Sequence, residues 1–352
     1  MRKIKVGHIS YFAPSRSGLY EASRDMCKAD ILGGNEAYFF DAGVPEKDGR
    51  ANIRVGEVDE RAGFKLTTSH PDKIQDMDIL IMHTGIDDKY LVKSQSPVIW
   101  VVHGKPLDCY RPEMQASRAS YTLYNELSKW PRAKYMLYFW PEYQPYWTCF
   151  PEQKHLIFDY PVIDEDRFNN SGEVYQIKDK GKYNILVCDS DRADTDKFEL
   201  IIAAIEVSKV IKGIKFHFVG LDMPFKNCER ALLDKLQEVG GLGDIVQRTT
   251  SMEIIYKSMD LTFSPNRIIN RVIAESLCCG TPIMTEIGCK VADYTTYVPN
   301  VKNVLTTFDR FTKDFDSKGI DRNIIIERSK IFNIKNYYTK MNEVYKEVLK
   351  FG

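Results

Sequence analysis

Apolar runs short enough to be strands alternate along this chain with apolar residues at helical spacing, and the alternation falls into two blocks. In the first block, residues 4–9, 36–40, 77–82 and 98–102 read as strands, with a helix over 19–32. In the second, 183–188, 215–220, 244–248, 261–264 and 281–285 read as strands. Helices over 198–211, 228–239 and 270–279 separate them, and Ser251 is a candidate N-cap for a further short helix. Residues 332–351 contain one more amphipathic helix. Repeated β-α-β order predicts an α/β protein with parallel sheets, with polar residues gathered at strand carboxyl ends, where such sheets bind ligands. The polar, glycine-bearing stretch 169–181 is the expected linker. It divides a first domain, 1–168, from a second, 182–331, with 332–352 as a terminal helix.

The stretch 261–286, LTFSPNRIINRVIAESLCCGTPIMTE, organises the second block. Pro265 and Asn266 break a buried strand. Gly280 stands where a helix C-cap belongs, and Pro282 fits only near the start of the strand that follows. The loop and helix N-terminus of this βαβ unit suit an anion. Glu275 by itself is equally readable as a solvated helix carboxylate.

With its Ala274-Glu275-Ser276-Leu277-Cys278-Cys279-Gly280-Thr281-Pro282 run, this stretch resembles the donor site of retaining GT-B glycosyltransferases. The family meant is glycosyl transferases group 1, which includes sucrose synthases and many bacterial lipopolysaccharide and mannosyl transferases. The resemblance implies two Rossmann-like parallel-sheet domains facing a cleft, with the C-terminal helix crossing back to the first. It implies that Glu275 accepts hydrogen bonds from the donor ribose. The family's other glutamate, eight residues earlier, is replaced here by Arg267. Arg267 and Arg271 are therefore counted with the donor-binding residues.

Several other positions follow from the same resemblance. Arg192 and Lys197, five residues apart after the first strand of the second block, match a pair that clamps the donor diphosphate. The chemistry suits cations, because negative charge builds on the leaving phosphate as the glycosidic bond breaks. The turn 249–252, with Thr249, is where the family holds the nucleotide base. Gly18 matches a glycine of the first loop that lets backbone approach a ligand. His103-Gly104 matches a His-Gly near the transferring sugar or acceptor, so His103 joins the catalytic set. The 164–168 run ends in Arg167-Phe168, as the family's passage between domains does. No metal and no cofactor is implied, and the leaving phosphate takes the acceptor proton. A metal triad of His83, His103 and His155 can be written from the sequence, but cations and helix dipoles normally do that work in this family.

Residues 135–147, YMLYFWPEYQPYW, form the densest aromatic patch. Such a patch is either core or an acceptor platform, since flat rings stack on sugars and on extruded bases. Pro141 and Pro145 argue against a long helix, which favours a loop and makes Tyr143, Tyr146 and Trp147 candidate acceptor contacts. Lys129, Arg132 and Lys134 lie just before it.

Composition narrows the choice of partners. The 352 residues carry 49 Lys plus Arg against 49 Asp plus Glu, so net charge supplies no bulk attraction to nucleic acid or acidic membrane. Eight cysteines without a C-x-x-C pair read as free thiols of a reducing compartment, and the expected location is the cytoplasm. No apolar run approaches the roughly 20 residues of a membrane span. The reading is a glycosyltransferase using a UDP- or GDP-linked sugar and an acceptor saccharide, lipid-linked glycan or hydroxymethylated DNA base. Its rivals are a non-catalytic nucleotide-sugar-binding module and a GT-B epimerase acting on UDP-N-acetylglucosamine.

Overall fold

A computed structural model describes residues 3–14, 18–45, 51–83, 90, 93–103, 132–147, 153–188, 197–221 and 227–351. It divides into two compact units, Met1–Asp164 with Phe332–Gly352 and Glu165–Ile331.

In the first unit, β1 (Lys5–Ser10) and β2 (Glu36–Asp41) flank the helix Gly18–Leu32. Two small hairpins follow, β3 (Val44–Pro45) with β4 (Ala51–Asn52) and β5 (Val58–Arg61) with β6 (Phe64–Thr67). Then come β7 (Ile79–Met82), β8 (Val98–Val102), β9 (Tyr135–Tyr138) and β10 (Lys154–Ile157). The large sheet runs β2-β1-β7-β8-β9-β10 and every pair is parallel. Each residue of β7, β8 and β9 is buried, as expected of parallel strands covered on both faces. One face carries Val6, Ile79, Ile81 and Ile99 against Tyr337, Met341 and Tyr345 of the terminal helix Ile334–Phe351. The other carries Leu80, Met82, Trp100 and Tyr138 with Trp147. Gly7 is demanded by this packing, because a Cβ there would lie 2.9 Å from Leu80 and Met77 side-chain atoms.

The helix Gly18–Leu32 is buried on polar as well as apolar sides. Arg24 donates to the Asp164 carboxylate at 3.3 Å and to the carbonyl of Arg61 at 2.8 Å, and Lys28 reaches Asp164 at 2.5 Å. Buried charges persist only when paired in this way.

The second unit contains β11 (Tyr183–Cys188), β12 (Ile214–Val219), β13 (Leu242–Val246), β14 (Leu261–Phe263), β15 (Ile283–Glu286) and β16 (Tyr294–Thr296). Its parallel sheet runs β13-β12-β11-β14-β15-β16. This is the Rossmann order, third-second-first-fourth-fifth-sixth. The chain passes from the first unit at Asp164 and Glu165, ahead of the 169–181 stretch expected as the linker. That stretch is fastened to the second unit. The Tyr175 hydroxyl and the backbone N–H groups of Lys178 and Asp179 donate to the Asp244 carboxylate at 2.9 Å each. The Tyr175 hydroxyl is pushed up to about 12 by burial and by this carboxylate, so it remains a donor. Among the described residues, Cys27, Cys188, Cys278, Cys279 and Cys289 are free thiols, and no helix is long and apolar enough to cross a membrane.

Candidate functional site

Strand order decides where a ligand can sit. In the second unit β11 and β14 are neighbours, yet the chain leaves β11 toward β12 and leaves β14 toward β15. This is the switch point of the sheet, the place where doubly wound sheets bind ligands. The loop after β11 holds Arg192, which lies outside the described residues, as does the rest of 189–196. The helix Lys197–Val210 begins at Lys197.

The loop after β14 is fully described. The Asn266 amide donates to the Ser264 hydroxyl at 3.0 Å, and its backbone N–H donates to the Ser264 carbonyl at 2.7 Å. Asn270 caps the helix Arg271–Cys278, its side chain accepting from the Ile273 N–H at 3.0 Å. Gly280 follows the helix at φ +74°, a conformation that favours glycine. A buried polar network locks this helix on the sheet. The Ser276 hydroxyl donates to the Thr281 carbonyl at 3.1 Å and accepts from the Thr262 hydroxyl at 2.8 Å. The Thr281 hydroxyl donates to the Tyr256 carbonyl at 2.6 Å, and Arg322 donates to the same hydroxyl at 2.9 Å.

Glu275 is thereby held in place one turn into the helix. Only 7% of its surface is exposed. Arg271, one turn earlier, donates to Oε1 through Nε at 2.9 Å, and the Tyr256 hydroxyl donates to Oε2 at 3.3 Å. Burial above all, reinforced by Cys188 and Glu275, raises the pKa of Tyr256 well above its ordinary value and keeps that donor protonated. Glu275 is therefore an oriented carboxylate, and Arg271 is engaged in orienting it. Arg267 is exposed in the middle of the loop, beside Gly288 of the loop after β15.

Thr249 lies beyond β13 and accepts from the Ser251 N–H at 3.0 Å. Ser251 is the N-cap residue of the helix Met252–Ser258, as expected, but its side chain makes no capping hydrogen bond, its backbone standing at φ −105°, ψ 49° rather than extended. The turn is held from the start of the unit: Arg167 binds the Thr250 carbonyl and reaches Glu253 at 3.1 Å.

No family model and no curated protein matches the sequence. Solved structures do match, over the whole chain. A glycosyltransferase from Rickettsia africae has a TM-score of 0.66 at 12% identity, covering 100% of both chains. The pneumococcal O-GlcNAc transferase GtfA, bound to UDP and GlcNAc, has a TM-score of 0.66 at 9% identity, covering 99% of this chain and 100% of its own. An alpha-glucosyltransferase in complex with UDP and a 13-mer DNA containing an HMU base has 0.63 at 11%, with 99% and 100% covered. The fold is GT-B.

In GT-B terms the first unit is the other half of the molecule, and its sheet has its own switch point, between β1 and β7. His83 follows β7 and His103 follows β8 at this carboxyl edge. Gly18 opens the first helix and is exposed. Among the described residues, a Cβ there would meet nothing within 4 Å.

The aromatic patch divides. Its first four residues are strand β9, and Trp147 is 0% exposed between Trp100 and Tyr138. Trp147 is therefore a core residue and not an acceptor contact. The prolines that argue for a loop act only on 141–147, where Pro141 starts a 3-10 turn. Tyr143 is half-buried against Trp140, while Tyr146 is 56% exposed. The basic residues are also displaced from it. Arg132 and Lys134 precede β9 and Tyr146 follows it, so a four-residue strand of roughly 13 Å separates them. Arg132 is spent on the Ser94 carbonyl. Lys129 lies outside the described residues.

His155 is on β10 with its ring edge-on to Tyr138, so His83, His103 and His155 do not form a metal set. Sequence reading missed His8, Asp30 and Tyr345. They are buried around His83, and only their placement on three separate elements reveals them.

Proposed function

We propose that the protein is a glycosyltransferase that moves a sugar from a nucleoside-diphosphate sugar, UDP- or GDP-linked, to an acceptor hydroxyl with retention of configuration. What carries the reading is the oriented Glu275 on the helix after β14, at the switch point of a Rossmann-ordered sheet. A carboxylate presented there suits the vicinal hydroxyls of a ribose. Arg192 and Lys197 supply the diphosphate clamp, Thr249 stands at the nucleobase, and Arg267 faces the donor's phosphate or sugar. His103, Tyr143 and Tyr146 serve the acceptor. Free thiols fit work in the cytoplasm.

A stability screen against UDP, GDP and ADP sugars tests this. A donor at 100 times its Kd should add about 2.7 kcal/mol to stability. No stabilisation by any donor, together with no donor hydrolysis, would reject the reading; binding without turnover would favour a non-catalytic module. Glu275→Gln keeps the size of the side chain and removes its charge. We expect donor affinity to fall about tenfold, near 1.4 kcal/mol, within the range for hydrogen bonds to a charged acceptor. Unchanged donor affinity in a folded variant would remove Glu275 from the site.

The donor is held by cations and oriented dipoles, so turnover should survive EDTA. Complete loss restored by manganese or magnesium would replace this site with a metal-dependent one. Among the acceptors, a saccharide or lipid-linked glycan fits better than DNA, because the described basic residues stand away from Tyr146. Acceptor binding should accordingly change little with salt, whereas a DNA acceptor would give a steep log–log slope.

A further inference from the structure

Behind His103 lies a continuous file of buried side chains. His103 Nε2 is 2.9 Å from His83 Nδ1, and His83 Nε2 is 3.0 Å from His8 Nδ1. His8 Nε2 is 2.8 Å from the Asp30 carboxylate, which also accepts from the Tyr345 hydroxyl at 2.9 Å. The three rings are stacked pairwise, with centroids 5.3 and 5.1 Å apart. Both ring nitrogens of His8 and His83, and Nε2 of His103, face the next group in line, so the histidines pair with one another and converge on no common point. His8 and Asp30 are 0% exposed, His83 is 2% exposed and His103 is partly exposed.

Hydrogen-bond chemistry assigns the protons. A carboxylate only accepts, so His8 carries its proton on Nε2. Neutral His8 then accepts at Nδ1 from His83 Nε2–H. His83 in turn accepts at Nδ1 from His103 Nε2–H. This tautomer of His103 carries its lone pair on Nδ1. His83 suits the neutral link: burial, and then the neighbouring His103 and His8, hold its pKa well below the ordinary histidine value.

We propose that Asp30, His8 and His83 form a proton relay that presents His103 to the acceptor hydroxyl as a base through Nδ1 and stores the proton on His8. This deepens the glycosyltransferase reading and rests on it for the identity of the hydroxyl. The hydroxyl proton bonds to His103 Nδ1 as the oxygen attacks. His103 passes its Nε2 proton to His83 Nδ1, and His83 passes its Nε2 proton to His8 Nδ1. His8 becomes an imidazolium paired with the Asp30 carboxylate, two rings inward from where the proton entered. Once the acceptor oxygen has displaced the diphosphate from the anomeric carbon, reversal returns the proton to His103 Nδ1, which passes it to that departing diphosphate, and no other reactant is needed. The relay gives the hydroxyl proton a first destination other than the leaving phosphate. His103 is the catalytic residue; His83, His8 and Asp30 position it and set its tautomer.

Two measurements on the full chain decide it. With 15N-labelled histidine, protonated and bare ring nitrogens have distinct shifts, and six histidines must be assigned. We expect His83 and His103 both as the Nε2–H tautomer. Nδ1–H on His103, or a charged His83 at neutral pH, would overturn the relay. The second is His83→Gln, whose amide can fill the gap but cannot exchange one ring nitrogen's proton for the other's. Its kcat should fall about 100-fold, the lower end for general acid–base catalysis, with the donor KM retained. Unchanged kcat in this variant would also overturn the relay. If the wild-type protein turns over no nucleoside-diphosphate sugar, the glycosyltransferase reading falls, and the nitrogen shifts alone decide whether the relay exists.

Discussion

Truncating Trp147 to alanine is expected to cost about 3–5 kcal/mol of stability, the range for removing a buried aromatic ring. The ring is 0% exposed and lies edge-on to Trp100 at 6.5 Å and tilted to Tyr138 at 6.2 Å. Those partners belong to two central strands, so the cavity would open inside the sheet's packed face and could not collapse without moving the strands. Denaturant midpoints and loss of amide protection in β8 and β9 would register the effect. Tyr146→Ala is the contrasting variant. Being exposed, it should change stability by no more than about 0.5 kcal/mol. If it stacks on the acceptor, binding should weaken by about 1–3 kcal/mol while donor binding stays intact. A Trp147→Ala protein of wild-type stability that binds acceptor poorly would restore Trp147 to the acceptor site.

Arg192→Ala should lower turnover by about 100- to 1000-fold, the usual consequence of losing one group that stabilises developing negative charge. Lys197→Ala should do the same. Both follow β11, a strand on one side of the switch point, where doubly wound sheets bind ligands. The leaving diphosphate gains charge in the transition state, so under the proposed clamp these cations should matter more there than for the bound donor. The loss should therefore appear in kcat with thermal midpoints unchanged. Near-normal turnover in both variants would remove the diphosphate clamp from the proposal.

Much of the architecture is legible in the sequence because buried parallel strands write themselves as apolar runs. The runs at 98–102 and 183–188 coincide with β8 and β11, and Asn270 and Gly280 mark the bounds of the Glu275 helix. Strand β9 was harder to see, because its Tyr135 and Tyr138 belong to an aromatic cluster that continues through Pro141 and Pro145. β13 begins at Leu242, earlier than the apolar signal at 244–248, because glycines carry no hydrophobic pattern. At the site, Glu275 was legible from its neighbours in sequence. Its fixing by Tyr256 and the pairing of Arg271 with it depend on how two helices pack. The histidine file was illegible for a stronger reason. His8 sits inside an ordinary strand pattern, and His8 and His83 are 75 positions apart.

The order in which this chain is made bears on that buried file. Tyr345 is 315 positions after Asp30, the carboxylate it covers. At the usual 5–20 residues per second, roughly 15–60 s pass between the synthesis of the two. Throughout that interval Asp30 and the apolar face around Val6, Ile79 and Ile81 lack the helix that covers them. All of Glu165–Ile331 is made within the same interval. On the ribosome the second unit is thus the first whose sequence is complete, and the first unit waits for its last helix to close.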